Sequence, residues 1–235
     1  MDGSDYRTAL VAGASGGTGR AVVGLLGPRE TTVRALTTSP EARGSLRAAG
    51  AEEVIVDDLL APRRLEAALA DVDVVISTVG SSPLEVWTAD RLVDGEGVRN
   101  LLGAAVDAGV EAFVVESALG VGDEPASRLA RLFDAAIAPV QRAKAVTERA
   151  VREAPIRHTI LRPGVLTDGP RTDDVTVALP GARLYGAVSR ADVARLLVAA
   201  PTTPAAADST FEVVSLPSFP GRDRSIDWRL PGADR

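Results

Sequence analysis

Short apolar runs alternate with longer stretches of helix-favouring residues along most of this chain. The runs are four to seven residues long, and the one at 72–77 is nearly continuous in apolar side chains, as is typical of a buried parallel strand. Strands are predicted at 9–12, 31–36, 53–56, 72–77, 111–117, 157–161 and 210–215. Helices are predicted at 20–26, 41–49, 62–70, 88–108, 127–153 and 189–199. This alternation predicts an α/β fold, a doubly wound parallel sheet of the Rossmann type with helices on both faces.

A glycine-rich turn, Gly-Ala-Ser-Gly-Gly-Thr-Gly at 13–19, follows the first predicted strand. Gly13 permits the turn out of the strand, Gly16 lets a ligand approach the backbone, and Gly19 lets the next helix pack closely. Phosphates bind at such a helix N-terminus because its free N–H groups and the helix dipole favour negative charge. The strand, turn and helix together predict a dinucleotide site at the carboxyl ends of the strands.

The chain of 235 residues is predicted to form a single domain over residues 1–218. Two long loops, 119–126 and 165–188, are expected to form a small C-terminal substrate lobe. The tail at 219–235 has no hydrophobic period and is expected to be loosely ordered.

Composition narrows the classes of function. The net charge of −6 argues against nucleic acid as the main partner. No apolar run approaches the roughly 20 residues that a membrane span requires. The chain has no cysteine and a single histidine, His158, so disulfides, thiol catalysis and a metal site are not expected. Residues 1–6 lack the charge and apolar core of a signal peptide, and the prediction is a cytoplasmic protein.

Eight segments along the chain carry a family resemblance. They are the glycine turn at 13–19, Val-Arg-Ala-Leu at 33–36, Val-Asp-Asp-Leu at 56–59, Ile-Ser-Thr-Val-Gly at 76–80, Phe-Val-Val-Glu-Ser at 113–117, Ala-Lys-Ala-Val-Thr-Glu at 143–148, Thr-Ile-Leu-Arg-Pro-Gly at 159–164 and Ser-Arg-Ala-Asp-Val-Ala at 189–194. In this order they resemble the atypical short-chain dehydrogenase/reductases. Within these, the chain is most similar to the NmrA-like, NAD(P)H-binding group that includes flavin and biliverdin-IXβ reductases.

The resemblance implies a set of cofactor contacts. The residues implied at the pyrophosphate are Gly13, Ser15, Gly16, Gly17, Thr18 and Gly19. Asp58 and Leu59 are implied at the adenine, Thr78, Val79 and Gly80 beside the nicotinamide ribose, and Pro163 near the nicotinamide amide.

The choice between NAD and NADP is made at the end of the second strand. NAD sites place a carboxylate there for the ribose 2′-hydroxyl, but this stretch contains Thr37 and Thr38 and no acid before Glu41. Hydroxyl groups can hydrogen-bond a 2′-phosphate, and Arg43 or Arg20 can neutralise it. Relatives that use NADP usually have arginine where Thr38 stands. NADP is favoured, and NAD stays an alternative.

Typical short-chain dehydrogenases use a Tyr-x-x-x-Lys motif and a serine after the fifth strand. The phenol transfers a proton, and the lysine lowers the phenol pKa and holds the ribose. Ser117 and Lys144, the sole lysine of the chain, match the family's catalytic positions, but Val140 stands where the tyrosine is expected. Valine cannot transfer a proton, so the usual mechanism is absent. Tyr6 precedes the first strand, and Tyr185 lies in the lobe, from which it could reach the site.

Three further titratable residues lie near these motifs. Glu116 stands where relatives have a small hydroxyl residue, and a salt bridge at the strand end is favoured over a proton donor. Glu148 is expected to be a solvated surface residue, with Lys144 or Arg152 as an alternative partner on the helix. His158 is expected to be a packing residue of the sixth strand.

The leading hypothesis is a reductase that transfers hydride from NADP(H) to a small acceptor, such as a flavin, quinone or carbonyl compound. Relatives of this kind need little acid–base help from the protein, because the cofactor carries the chemistry. The alternative is a non-catalytic dinucleotide sensor of the NmrA type. A sugar-nucleotide epimerase or dehydratase is a weaker alternative, because those enzymes generally keep the tyrosine. A monomer and a homodimer are both compatible with the sequence.

Overall fold

The computed structural model describes residues 6–81, 88, 90–121, 128–181, 186–215 and 223–231. Its strands are β1 (Thr8–Ala12), β2 (Thr32–Thr37), β3 (Glu53–Val56), β4 (Val74–Ser77), β5 (Ala112–Glu116), β6 (Arg157–Pro163), β7 (Val165–Thr167), β8 (Thr176–Ala178), β9 (Ala187–Ser189), β10 (Ser209–Val214) and β11 (Asp223–Arg224). Its α-helices are α1 (Gly17–Leu26), α2 (Arg43–Ala48), α3 (Leu65–Leu69), α4 (Val98–Asp107), α5 (Arg128–Glu153) and α6 (Arg190–Ala199).

Nine strands form the main sheet in the order β11-β8-β10-β6-β5-β4-β1-β2-β3. The seven strands from β10 to β3 are parallel, and β8 and β11 add an antiparallel edge. β7 and β9 pair in a separate two-stranded sheet. The predicted Rossmann-type fold is confirmed.

Alternate residues of the central strands pack into two separate cores. In β1, Ala9 and Val11 contact one core, which includes residues of α1 and α6. Leu10 and Ala12 contact the other core, which includes residues of α3, α4 and α5. Because both faces of the sheet are covered, the central strands are apolar at nearly every position. This two-sided burial explains why their runs are easily recognised in the sequence.

The predicted helix 88–108 differs from the structure. A π-helical turn at Val93–Gly97 precedes α4, and residues 82–87 and 89 lie outside the described residues. A Cβ on Gly97 would lie 2.6 Å from the Val93 side chain, and one on Gly95 would lie 3.2 Å from the Cβ of Ala143. Gly95 therefore lets the widened turn pack against α5, and Gly97 leaves room for the Val93 side chain. π turns of this kind occur frequently at functional sites.

The start of α6 agrees with a capping signal in the sequence. Ser189 is its N-cap residue, and the Ser189 hydroxyl accepts a hydrogen bond of 3.0 Å from the backbone N–H of Asp192. Such a cap satisfies one of the N–H groups that the first helical turn leaves without a partner.

Two regions that were expected to be irregular contain short strands. The lobe segment 165–188 contains β7, β8 and part of β9 in its described residues. The tail was expected to be loosely ordered, but its residues 223–231 are packed. β11 pairs with β8, and Trp228 packs on the core. The Trp228 ring meets Phe211 edge-on, with ring centroids 5.9 Å apart. This aromatic contact holds the described part of the tail against β10.

No helix in the described part of the chain combines the length and the apolar character that a bilayer crossing requires.

Candidate functional site

The turn between β1 and α1 is shaped by two glycines that have no room for a side chain. Gly13 has φ +74°, and a Cβ there would lie 2.7 Å from the Thr78 carbonyl oxygen. A Cβ on Gly19 would lie 2.3 Å from the Gly13 carbonyl oxygen. The turn and helix α1 are therefore pressed together and against the end of β4. This close packing leaves the backbone of Gly16 and Gly17 exposed.

The exposed end of α1 has the character of an anion site. Gly16 is the N-cap residue and provides no side-chain cap, and the first backbone bond of the helix runs from Arg20 N–H to the Gly16 carbonyl. The N–H groups of Gly17, Thr18 and Gly19 are in the first turn, where a helix provides no backbone acceptors. A diphosphate fits this arrangement, because it accepts several N–H groups and is favoured by the helix dipole.

The ends of β2 and β4 border this turn. Thr37 donates a hydrogen bond of 2.8 Å to the Ser15 hydroxyl and accepts one of 3.0 Å from the Ser39 N–H, whereas Thr38 is exposed. Thr78 donates to the Ala12 carbonyl oxygen at 3.0 Å. The structure thus gathers the residues implied at the pyrophosphate and at the ends of these strands on one edge of the sheet.

The remaining implied residues lie at the ends of three strands of the main sheet, β3, β4 and β6. Asp58 is exposed after β3, and its carboxylate accepts from the Leu60 N–H at 2.9 Å, while Leu59 is buried. Val79 and Gly80 follow β4, and Pro163 ends β6. All of them lie at the carboxyl ends of parallel strands, where ligands of open α/β sheets bind.

Lys144 is held by a buried carboxylate. Its ammonium nitrogen lies 3.0 Å from Asp94 Oδ1 and 3.4 Å from the Glu116 carbonyl oxygen. The other oxygen of Asp94 accepts from the Ser81 N–H at 2.7 Å. Thr147 donates to the carbonyl oxygen of Asp94 at 2.6 Å. The π turn therefore places Asp94 beside Lys144. The sequence pattern did not predict this ion pair.

Ser117 also has an internal partner. Its hydroxyl donates a hydrogen bond of 2.6 Å to Glu148, which is 1% exposed. Arg162 donates to both oxygens of the same carboxylate, at 2.9 and 2.6 Å, and Arg152 donates at 3.0 Å. The expectation of a solvated Glu148 is wrong, because Arg162 of the neighbouring strand compensates the burial of its charge.

Glu116 occupies a buried position between the glycine turn and the cationic residues. Its carboxylate accepts from the Thr18 hydroxyl at 3.1 Å, and no ion pair of this side chain is found among the residues that the structure describes. Burial raises the pKa of Glu116 to about 7, although Lys144, the Thr18 hydrogen bond and Arg190 act in the opposite direction. The expected strand-end salt bridge is therefore replaced by a carboxyl group that titrates near neutrality.

Ser117, Lys144 and Glu116 line one small cavity together with Val79. Val140 lies on α5, half-buried, four residues before the lysine. Tyr6 is buried beside the start of β1, at the amino ends of the strands and away from the cavity. Its hydroxyl donates to the Val198 carbonyl oxygen at 3.0 Å. No tyrosine of the described residues borders the cavity, and Tyr185 lies outside them.

His158 is also distant from the cavity, because it lies at the start of β6, among the amino ends of the strands. It is buried, and its Nδ1 lies 3.3 Å from a carboxylate oxygen of Asp208.

Comparisons with known proteins agree on a nucleotide-binding fold. A family model described as NAD(P)H-binding matches residues 13–204. The uncharacterized sugar epimerase YhfK of Bacillus subtilis (strain 168) is 33% identical over 111 residues, which are 47% of this chain and 52% of that relative. The match thus spans about half the length of this curated relative.

Two solved structures extend the likeness over most of the chain. ChuY, an anaerobillin reductase from Escherichia coli O157:H7, has a TM-score of 0.75 at 24% identity, covering 89% of this chain and 98% of that one. A short-chain dehydrogenase/reductase from Veillonella parvula DSM 2008 in complex with NADP has a TM-score of 0.73 at 17% identity, covering 91% and 97%. At these identities the likeness shows the fold.

Proposed function

We propose that this chain, which belongs to the NAD(P)H-binding family, is a reductase that transfers hydride from NADPH to a small acceptor. The observation that carries the proposal is the packing of Gly13 and Gly19, which leaves the first turn of α1 open to a diphosphate. The family match and the reductase among the structures of the same fold support it. The bound cofactor supplies the hydride, and the protein supplies position and electrostatics.

Each part of the dinucleotide has candidate contacts on the described edge. The N–H groups of Gly17, Thr18 and Gly19 bind the diphosphate in this proposal. Lys144, fixed by Asp94, donates to the hydroxyls of the nicotinamide ribose. Asp58 accepts from the adenine amino group, and Leu59, Thr78, Val79, Gly80 and Pro163 complete the contacts that the resemblance implies.

NADPH is proposed over NADH because the end of β2 carries hydroxyls where an NAD site carries an acid. Thr38 is exposed beside the anchored Thr37, and Arg20 donates to the Ser15 carbonyl oxygen at 3.0 Å. A 2′-phosphate placed there meets hydroxyl donors and a guanidinium rather than a repelling carboxylate. A structural relative holds NADP, which agrees with this choice.

The acceptor is proposed to be one that needs no proton from a tyrosine. The Ser117 hydroxyl already donates to Glu148, and Val140 offers no proton. Reduction of a carbonyl places negative charge on oxygen and gains much from a positioned acid. A flavin or quinone spreads that charge over its ring system and takes its proton from water. The internal pairing of Ser117 therefore favours a flavin- or quinone-type acceptor.

A second candidate is a dinucleotide sensor that binds without turnover. One observation favours it: both residues at the family's catalytic positions, Ser117 and Lys144, are engaged by buried carboxylates. The epimerase function that the name of the curated relative suggests has less support, because the described part of the site offers no phenol for proton transfer.

Calorimetric titration with NADPH and NADH tests cofactor binding. Gly16→Asp puts a negative charge at the exposed N-cap and is expected to weaken binding by about tenfold or more, equivalent to about 1.4 kcal/mol. Gly24→Asp is the matched control, because it makes the same change on the same helix where nothing lies within 4 Å. Absence of binding by the wild-type protein, or equal affinities of the two variants, would contradict the proposed site.

Turnover then separates the two candidates. A reductase consumes NADPH in the presence of a flavin or quinone, and the absorbance of the reduced nicotinamide falls. A sensor binds NADPH with the same affinity and leaves it unconsumed with every acceptor in the panel.

A further inference from the structure

The side chain of Arg190 lies directly against Gly17, the first residue of α1. Arg190 is the first residue of α6, and a Cβ placed on Gly17 would lie 2.6 Å from the Arg190 Cδ and 2.9 Å from its Nε. The guanidinium group therefore lies against the exposed end of α1, where the N–H groups are open. Any larger residue at position 17 would displace this side chain. This contact explains a glycine that the Gly13, Gly16 and Gly19 spacing does not require.

Arg190 forms an exposed ion pair with Asp168. Its Nη1 lies 2.6 Å from Asp168 Oδ1, and the two side chains are 30% and 89% exposed. An ion pair with so exposed a carboxylate contributes little to stability, because water solvates the separated charges well. Exchange of Asp168 for a better anion is therefore inexpensive. The positive charge of Arg190 also acts on Glu116, whose pKa it lowers against the effect of burial.

We infer that Arg190 is a diphosphate ligand, which leaves Asp168 and bonds the phosphates of a dinucleotide bound at α1. The inference rests on the proposed function, because it assumes the dinucleotide at this end of the helix. Arginine suits the role, since its planar donors match phosphate oxygens in pairs. The negative charge of the diphosphate then lies between a helix N-terminus and a guanidinium.

Titration of Arg190→Gln with NADPH and NADH tests the inference. Loss of a charge-assisted hydrogen bond predicts roughly a 10- to 100-fold weaker affinity. The loss is expected to be equal for both cofactors, because both contain the diphosphate. Arg195→Gln is the matched control: it lies on the same helix, pairs with Asp173 at 3.1 Å, and is 27% exposed. Its affinity is expected to stay at the wild-type value.

The outcomes separate this inference from the proposed function. If the wild-type protein binds neither cofactor, both fail. If wild type and Arg195→Gln bind and Arg190→Gln binds as tightly, only the inference fails, and the ion pair with Asp168 is structural. A loss confined to NADPH overturns the diphosphate assignment, because only that cofactor has a 2′-phosphate.

Asp168→Asn provides a second route if Arg190→Gln does not fold. The substituted side chain is 89% exposed, so the variant is expected to fold normally. Removal of the competing carboxylate frees the guanidinium, and the affinity for both cofactors is expected to rise about twofold or more. An unchanged affinity in this variant would overturn the inference.

Discussion

Replacing Glu116 by glutamine is expected to stabilise the protein at alkaline pH and to change it much less at acidic pH. The carboxyl group is 7% exposed, and burial raises its pKa from 4.5 to about 7. The folded protein thus keeps a proton that the unfolded chain releases as the pH rises above 4.5. The stability due to this proton is fully present below that pH and is lost as the pH rises through about 7.

The size of the effect follows from the shift. A difference of about 2.5 pKa units corresponds to roughly 3 kcal/mol between the acidic and alkaline limits. Glutamine does not titrate, and its amide oxygen can accept the Thr18 hydrogen bond. Between about pH 5 and about pH 8, the advantage of Glu116→Gln over wild type is expected to grow by about 2 to 3 kcal/mol. This equals roughly 5 to 10 °C in the unfolding midpoint of a chain of this size.

Urea unfolding of the protein without cofactor, at both pH values, measures this change directly. Glu111→Gln is the control, because Glu111 is exposed and directly precedes the same strand. The control is expected to differ from wild type by less than about 0.5 kcal/mol at either pH. An equal stability difference of Glu116→Gln at the two pH values would refute the reasoning, because the carboxyl would then ionise as freely as one in water.

Three further predictions concern stability and are measured by urea or thermal unfolding. Arg162→Met leaves the buried Glu148 without its bidentate partner and is expected to cost about 3 kcal/mol; no loss would show that Arg152 suffices. Gly19→Ala places a Cβ 2.3 Å from a carbonyl oxygen and is expected to cost about 1 to 3 kcal/mol, whereas Gly24→Ala, in open space, gains up to about 1 kcal/mol. Tyr6→Phe removes one buried hydrogen bond and is expected to cost about 1 kcal/mol with unchanged NADPH affinity; altered affinity would contradict its placement.

The sequence predicts the seven parallel strands of the main sheet because strands buried on both faces carry largely apolar runs. Val74–Ser77 and Ala112–Glu116 are buried at every position, and the apolar pattern predicts the ends of both strands to within two residues. The strands β7, β8, β9 and β11 have two or three residues each, too few for a periodic pattern. Their formation depends on pairing with distant segments, which local composition does not encode.

The candidate site also has one part that the sequence predicts and one part that it does not. The glycine turn is predictable because its spacing encodes backbone conformation and close packing. The partners of the polar side chains are not, because they come from elements far apart in the sequence. Asp94 reaches Lys144 only through a π turn, and Glu148 is buried only because Arg162 lies on the adjacent strand. For Lys144, one general rule does indicate a partner: a lysine on a helix face that packs on the sheet is buried, and a buried ammonium group is paired with a carboxylate.

The two outer strands of the main sheet have a consequence for aggregation. β11 has two residues, and β3, at the other end, has four and pairs its exposed Glu53 with Arg34. Long, flat, apolar sheet edges recruit strands from other chains, whereas short or charged edges resist it. Among the described residues, this sheet therefore offers other molecules little free backbone at either end. Variants that detach β11 would uncover β8 and are the ones in which edge-to-edge association is expected.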